Sequence, residues 1–207
     1  MPTPTAPTRE QFTAYQRLYD YFNRELFAGE LPACVLNFSR HANTNGFFAQ
    51  SRWNKGKEVR HEISLNPATL KLRSPREVCS TLAHEMVHLW QAEHGEPSRA
   101  GYHNREWSDK MKSIGLMPST TGEPGGDTVG QRMTHYVVAG EPFARAFGRL
   151  PHDYFPWLCT HEPEGAKKKS NANKVRYTCP ECDAHVWGKS GLAIHCNECR
   201  ADFEEDV

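Results

Sequence analysis

The chain has 207 residues, enough for one full hydrophobic core and a small satellite. Hydrophobic residues make up 38% and charged residues 24%, and no run of about 18 apolar residues occurs; this is the composition of a globular protein without a spanning helix. Lys+Arg and Asp+Glu are equal at 25 each, so net charge supplies no reason to expect nucleic acid or membrane, and any electrostatic footprint has to be local.

The opening residues, "MPTPTAPTRE", contain no apolar segment of the kind a secretory leader needs, and residues 1–8 are predicted to be disordered. "TREQ" (8–11) fits a capping box, a hydroxyl at the N-cap with Gln three residues on. The helix it predicts carries Phe12, Tyr15, Tyr19, Phe22 and Leu26 at helical spacing, read as core, and stops near Gly29. Three strands are predicted next, at 34–38, 46–53 and 59–65, separated by Asn-, Gly- and Lys-containing turns. In the third, Val59, His61, Ile63 and Leu65 alternate with Arg60, Glu62 and Ser64, which places His61 as a packed or rim residue rather than a ligand. Phe47 and Phe48 in the second strand read as packing residues, although that strand, at a sheet edge, would also suit backbone pairing with a peptide.

"SPRE" (74–77) predicts a helix start, with Ser74 as cap, Pro75 in the first turn and Glu77 closing a capping box. This helix runs to about His94, stops at Gly95 and contains "HEMVH". At 100° per residue His84 and His88 share one face, Glu85 sits on its shoulder, and Val78, Leu82, Met86 and Leu89 face the core. With 11 His in 207 residues, this pattern is expected by chance only roughly 0.05 times. Two neutral imidazoles four residues apart, with a carboxylate beside the first, suit a catalytic zinc, which takes three protein ligands and keeps one position open. His94 falls well off that face. His103 follows a chain reversal at 95–101 and lies one turn before the apolar Trp107, so it is the favoured third ligand, with Glu106 as the alternative.

A second helix is predicted from about 104 to 113, then a loop over 118–130, and a strand, a turn and a short helix over 133–147. A polar, basic linker occupies 162–175. "CPECDAHVWGKSGLAIHCNEC" (179–199) then presents two Cys-x-x-Cys pairs separated by 13 residues, the spacing of a structural zinc site on Cys179, Cys182, Cys196 and Cys199; His185 and His195 are alternative ligands. Seven cysteines, four of them in two tight pairs, suit metal ligation in a reducing compartment better than a disulfide framework, which places the chain in the cytoplasm; Cys159 is read as an ordinary thiol. Lys167, Lys168, Lys169, Lys174 and Arg176, with the aromatic Trp187, form a combination that can hold a phosphate backbone and stack bases.

Residues 62–90 ("EISLNPATLKLRSPREVCSTLAHEMVHLW") and 101–111 ("GYHNREWSDKM"), together with the cysteine-rich end, resemble the SprT-like metalloprotease family, which includes the Spartan-related DNA-dependent proteases; "YDYFNRELFAGELP" (19–32) resembles the family's first helix and turn. In the family motif that carries the third ligand, "YHNREW" matches with His103 at the histidine and Trp107 at the aromatic position, while Asn104 stands where the family has glycine. The resemblance implies an α+β, zincin-like domain of helices on a small mixed sheet over 9–117, an extension over 118–161 and a zinc ribbon over 176–203. It implies two zinc ions, Glu85 as general base, and protein substrates bound or crosslinked to DNA. DNA, single-stranded or with single-stranded character, would be the partner, at the nucleoid. The oxyanion of such a reaction needs a donor, for which Tyr102 and Tyr136 are candidates, although both read first as structural residues. The rival expectations are a binding adaptor with an inactive site and a peptidase that needs no DNA.

Overall fold

The computed structural model describes residues 6–41, 44–150, 155, 157–159 and 174–206. The chain divides into two units, residues 1–163 and 164–207, a boundary that falls inside the segment read as a linker.

In the first unit, α1 (Pro7–Phe27) lays Tyr15, Leu18, Tyr19, Phe22 and Leu26 into the core. Its start differs from expectation. The helix begins at Pro7 behind Ala6, with no side-chain cap, because Pro7 already supplies a first-turn residue with the right φ and no orphan N–H, so the "TREQ" box does not form. Phe12, read as core, is 38% exposed and meets Phe38 edge-on at the rim. The helix ends where Ala28 and Gly29 both take left-handed φ.

Strands β1 (Val35–Phe38), β2 (Gly46–Lys55) and β3 (Glu58–Leu65) form one mixed sheet in the order β1-β3-β2, with β1 parallel and β2 antiparallel to β3. The expected alternation in β3 fails at its end: Glu62, Ile63, Ser64 and Leu65 are all buried. Glu62 sits there because Asn37 Nδ2 (3.2 Å) and Trp53 Nε1 (2.6 Å) donate to its two carboxylate oxygens, so the charge is hydrogen-bonded rather than stranded. A one-turn helix, α2 (Pro67–Leu70), capped by Asn66, was not legible in the sequence.

The long helix α3 (Pro75–His94) packs across β2 and β3, and α4 (Arg105–Ser113) packs against it. The "SPRE" box forms as read: Glu77 N–H donates to Ser74 Oγ (3.3 Å), and Ser74 N–H donates to the Glu77 carboxylate (2.8 Å). From α4 the chain enters a hairpin of β4 (Leu116–Ser119) and β5 (Thr134–Val137), then α5 (Pro142–Gly148), which docks on α1 through the stacked rings of Phe143 and Phe22. Phe155 closes on Tyr15 and Phe38.

The second unit is a small antiparallel assembly. β6 (Val175–Thr178) pairs with β7 (His185–Gly188) and β10 (Glu204–Glu205), while β8 (His195–Cys196) pairs with β9 (Ala201–Asp202). Its buried aromatic is Tyr177, whose hydroxyl donates to Lys189 O (2.6 Å) and accepts from Leu192 N–H (2.9 Å). No described helix is long and apolar enough to cross a membrane.

Candidate metal centres

Packed on β2 and β3, α3 presents His84 and His88 to a cleft of about 1360 Å³ between the helix, β2 and the β4–β5 hairpin. His103, at the reversal before α4, completes the group: one nitrogen from each of the three rings lies within 4.8 Å of the others. His88 Nε2 and His103 Nε2 are 3.1 Å apart. Imidazole nitrogens bound to a tetrahedral zinc at ~2.0–2.1 Å stand roughly 3.3 Å apart, so the spacing suits that ion. The three rings stand on Trp107, whose indole centre is 4.9, 5.2 and 4.3 Å from those of His84, His88 and His103.

The orientation of His103 comes from a residue that sequence reasoning did not identify. Gly130 exchanges backbone hydrogen bonds with His103 (2.8 and 3.0 Å), and its carbonyl also faces His103 Nδ1 at 3.2 Å. A carbonyl only accepts, so the ring proton is assigned to Nδ1, leaving the Nε2 lone pair for a metal. Gly130 holds φ +147°, a conformation that glycine reaches without a Cβ penalty.

Glu106, the alternative ligand, is turned away and engaged. Its Oε2 accepts from Gln91 Nε2 (2.6 Å) and Glu96 N–H (2.9 Å), fastening the end of α3 to the start of α4. A Cβ at Gly95 would meet that carboxylate, so a larger residue here would have to displace the Glu106 side chain. Asn104 also has a defined place: its Oδ1 accepts from Trp107 N–H (3.0 Å) and Gln91 Nε2 (2.8 Å), so it caps α4 and ties it to α3. His94 lies against Trp90, away from the cluster.

The electrostatics suit a metal. Burial, then His135, His88 and His103, hold His84 well below the usual imidazole range. Burial and then His103 bring His88 down to about 3, and burial lowers His103 against the opposing pull of the Gly130 carbonyl. Neutral imidazoles are the form a metal takes. Burial raises the Glu85 carboxyl to about 8, opposed by a hydrogen bond from the Phe48 backbone N–H. Phe48 belongs to the edge strand β2, and its ring lies nearly parallel to that of His88 at 6.3 Å. Tyr102 and Tyr136 line the same cleft, as do Arg73 and His135. Burial and then Arg73 lower His135 to about 4.

The second unit brings Cys179, Cys182, Cys196 and Cys199 together, their sulfurs within 4.8 Å of one another. Cys182 and Cys196 Sγ are 3.9 Å apart, against roughly 3.8 Å for thiolates at ~2.3 Å on a tetrahedral zinc. Each pair ends in the same turn. Asp183 N–H donates to Cys179 O (3.0 Å) and Arg200 N–H to Cys196 O (2.8 Å), with Asp183 and Arg200 both in left-handed conformation. The thiols share protons: backbone N–H groups, those of Cys199 first and Glu198 next among them, draw the Cys196 thiol down, while hydrogen bonds with Cys182 first, then burial and the other thiols, push Cys199 up. His185 and His195 are bonded to Thr178 and Asp202 instead (3.2 and 2.9 Å).

Of the residues read as contacts to nucleic acid, Trp187 is 64% exposed and stands opposite Arg176 across the β6–β7 ladder. Arg176 is paired with Asp206. Lys174 is exposed just before β6, and Lys167, Lys168 and Lys169 lie outside the described residues. Cys159 accepts a contact from Arg40 Nη2 (3.7 Å) and joins neither cluster.

A family model described as the SprT-like family matches residues 15–125, which contain the three histidines and Glu85. A protein of Salmonella typhimurium described as "Uncharacterized protein in mucB 3'region" is 40% identical over 47 residues, 23% of this chain; the chain covers 64% of that protein's length, less than two thirds. The match of the family model over more than half of the sequence establishes that this chain belongs to the SprT-like family.

Proposed function

We propose that the protein is a zinc-dependent endopeptidase of zincin type, acting on proteins associated with or crosslinked to DNA and stimulated by DNA. The observation that carries the reading is the convergence of His84, His88 and His103 beside a buried Glu85, at a cleft bordered by an edge strand. In this reading those imidazoles hold the catalytic ion, and the four cysteines hold a structural one in a zinc ribbon.

A zinc ion at the three histidines supplies Lewis acidity toward a peptide carbonyl and lowers the pKa of water at the site toward neutral. The rest falls to the chain. Burial alone would keep the Glu85 carboxyl protonated near neutral pH, but the positive charge of an ion at the three histidines would draw it back to the carboxylate, the form placed to take the proton of the attacking water and return it to the leaving amine. Residues 46–50 border the cleft, and among the described residues β2 is an edge strand of its sheet, so a substrate can add there as a further strand. Backbone pairing of that kind selects little by side chain, which suits a protease whose substrates are chosen by where they are held. Tyr102 and Tyr136 remain the donors proposed for the oxyanion. For DNA, the proposed contacts are Lys167, Lys168, Lys169, Lys174, Arg176 and Trp187. The exposed Trp187 supports stacking, and a cytoplasmic, nucleoid-associated location follows from such a partner.

The test is cleavage of a DNA-bound protein with and without single-stranded DNA, wild type beside Glu85→Gln. Cleavage that needs DNA and is lost in Glu85→Gln supports the proposal. Cleavage indifferent to DNA makes the protein a general peptidase, and no cleavage by zinc-loaded wild type makes it a binding adaptor.

A further inference from the structure

His135 lies fifty-one residues beyond His84 in the chain, and no local motif marks it. Strand β5 brings it to the metal cluster. In the β4–β5 ladder His135 pairs with Pro118, and β4 begins at the buried Leu116, directly after α4. The histidine is thereby set at a fixed height beside α3. Its Nδ1 stands 3.1 Å from His84 Nδ1, with ring centres 5.2 Å apart. The same hairpin carries Gly130, which orients His103.

We propose that His135 is a positioning residue for the metal centre, acting through His84. The inference rests on the reading of His84, His88 and His103 as a metal site. With Nδ1 of His84 engaged by His135, its Nε2 is the nitrogen left to join the Nε2 atoms of His88 and His103. A nitrogen that offers its lone pair to a metal carries no proton, so the proton of neutral His84 is on Nδ1. Two facing nitrogens at hydrogen-bond distance need one donor and one acceptor. His135 Nδ1 is therefore the acceptor, and its own proton sits on Nε2. The arrangement fixes both the tautomer and the rotation of the His84 ring, as the Gly130 carbonyl does for His103. The β4–β5 hairpin thus braces two of the three imidazoles from outside, one with a carbonyl and one with a ring nitrogen. Partners of this kind raise the basicity of the ligand they hold, and their loss typically costs about 10–100-fold in metal affinity.

The experiment measures zinc retention rather than catalysis. Full-length wild type, His135→Ala, His135→Asn and His135→Phe are loaded with zinc and equilibrated against a chelator of known affinity. Bound zinc is read by elemental analysis, and a His88→Ala chain provides the baseline of the cysteine site. Asn places an acceptor oxygen near the position of Nδ1; Phe fills the ring's space and accepts nothing. His135→Ala and His135→Phe are expected to lose about 10–100-fold in affinity at the histidine site, and His135→Asn to recover most of it. Thermal unfolding of each zinc-loaded chain reports folding, and if the Ala chain does not fold, the Asn and Phe chains decide the question. Three results overturn the proposal: wild-type affinity in His135→Ala, equal recovery by Phe and Asn, which makes the role one of packing, or no recovery by Asn. If wild type holds no more zinc than His88→Ala, the metal reading itself falls, and this inference with it.

Discussion

Glu85 and Glu106 are both acidic, both near the three histidines in sequence, and placed by the structure in opposite circumstances. Glu85 is desolvated beside the cluster and bonded to one backbone N–H, whereas Glu106 is spent on Gln91 and the Glu96 backbone. Their amides should therefore behave differently. Glu85→Gln is expected to keep both zinc ions and lose about 10²–10⁴ in cleavage rate. Glu106→Gln keeps shape and one carbonyl acceptor, so zinc content and cleavage should stay near wild type. Elemental analysis with single-turnover cleavage checks both. Full cleavage by zinc-loaded Glu85→Gln removes the general-base role, and loss of one zinc in Glu106→Gln reinstates Glu106 as a ligand.

At the scale of elements, α3 matters most, because it carries two of the clustered imidazoles and Glu85 on one rigid rod. Its first turn depends on the reciprocal bonds of Ser74 and Glu77. Ser74→Ala should cost about 1 kcal/mol, seen as a fall of roughly 2–4 °C in the unfolding midpoint of the first unit, with zinc content unchanged. A midpoint equal to wild type would show that packing of α3 makes the cap redundant. The imidazoles that α3, the turn before α4 and β5 bring together govern the response of the metal-free protein to acid. Four imidazoles, His84, His88, His103 and His135, are lowered in the fold, two of them to about 3 and about 4, against ~6.5 in an unfolded chain. As pH falls below ~6.5 the unfolded chain takes up protons first, so the stability they contribute is complete above that value and is lost toward pH 3–4. Glu85, raised to about 8, acts oppositely, since its contribution is present at low pH and is lost as pH rises from ~4.5 to 8. Four groups outweigh one, so the urea midpoint of the chelated protein should fall between pH 6.5 and pH 5. A midpoint that stays level or rises over that range contradicts the burial of these rings in neutral form.

Across the whole molecule, the chain holds two clusters in two separate units, and the clusters should fail separately. Wild type is expected to bind two zinc ions. His103→Ala should lose only the one at the histidines, and Cys179→Ser should unfold only the second unit, because an assembly of short strands with one buried aromatic has little core to hold it without metal. Truncation after residue 163 should leave the first unit folded and remove DNA stimulation. DNA affinity of the full chain should fall steeply with salt, as phosphate contacts require. A salt titration with fluorescent single-stranded DNA, run on both chains, gives the answer. If the truncated chain binds and is stimulated as well as the full one, the second unit serves another partner.

Local order was legible in the residues themselves. The spacing of His84, Glu85 and His88, the "SPRE" cap and the two Cys-x-x-Cys pairs are patterns within one helix turn or one tight turn, where covalent geometry alone decides which side chains meet. The α1 stripe was legible too, apart from Phe12, whose exposure depends on where the sheet ends. The choice between His103 and Glu106 was open to sequence because both follow the same chain reversal. In the structure His103 is the residue that gathers with His84 and His88, turned by the Gly130 carbonyl 27 residues away, while Gln91 holds Glu106. Glu62 reads as solvent-facing in its strand, yet it is buried, because its two hydrogen-bond donors come from neighbouring strands. His135 sits in a short strand whose pattern says nothing of His84. Sequence determined which side chains could ligate and in what local phase. The tertiary structure alone decided which of them converge and which way each ring turns, because those outcomes depend on partners that only packing brings within hydrogen-bond distance.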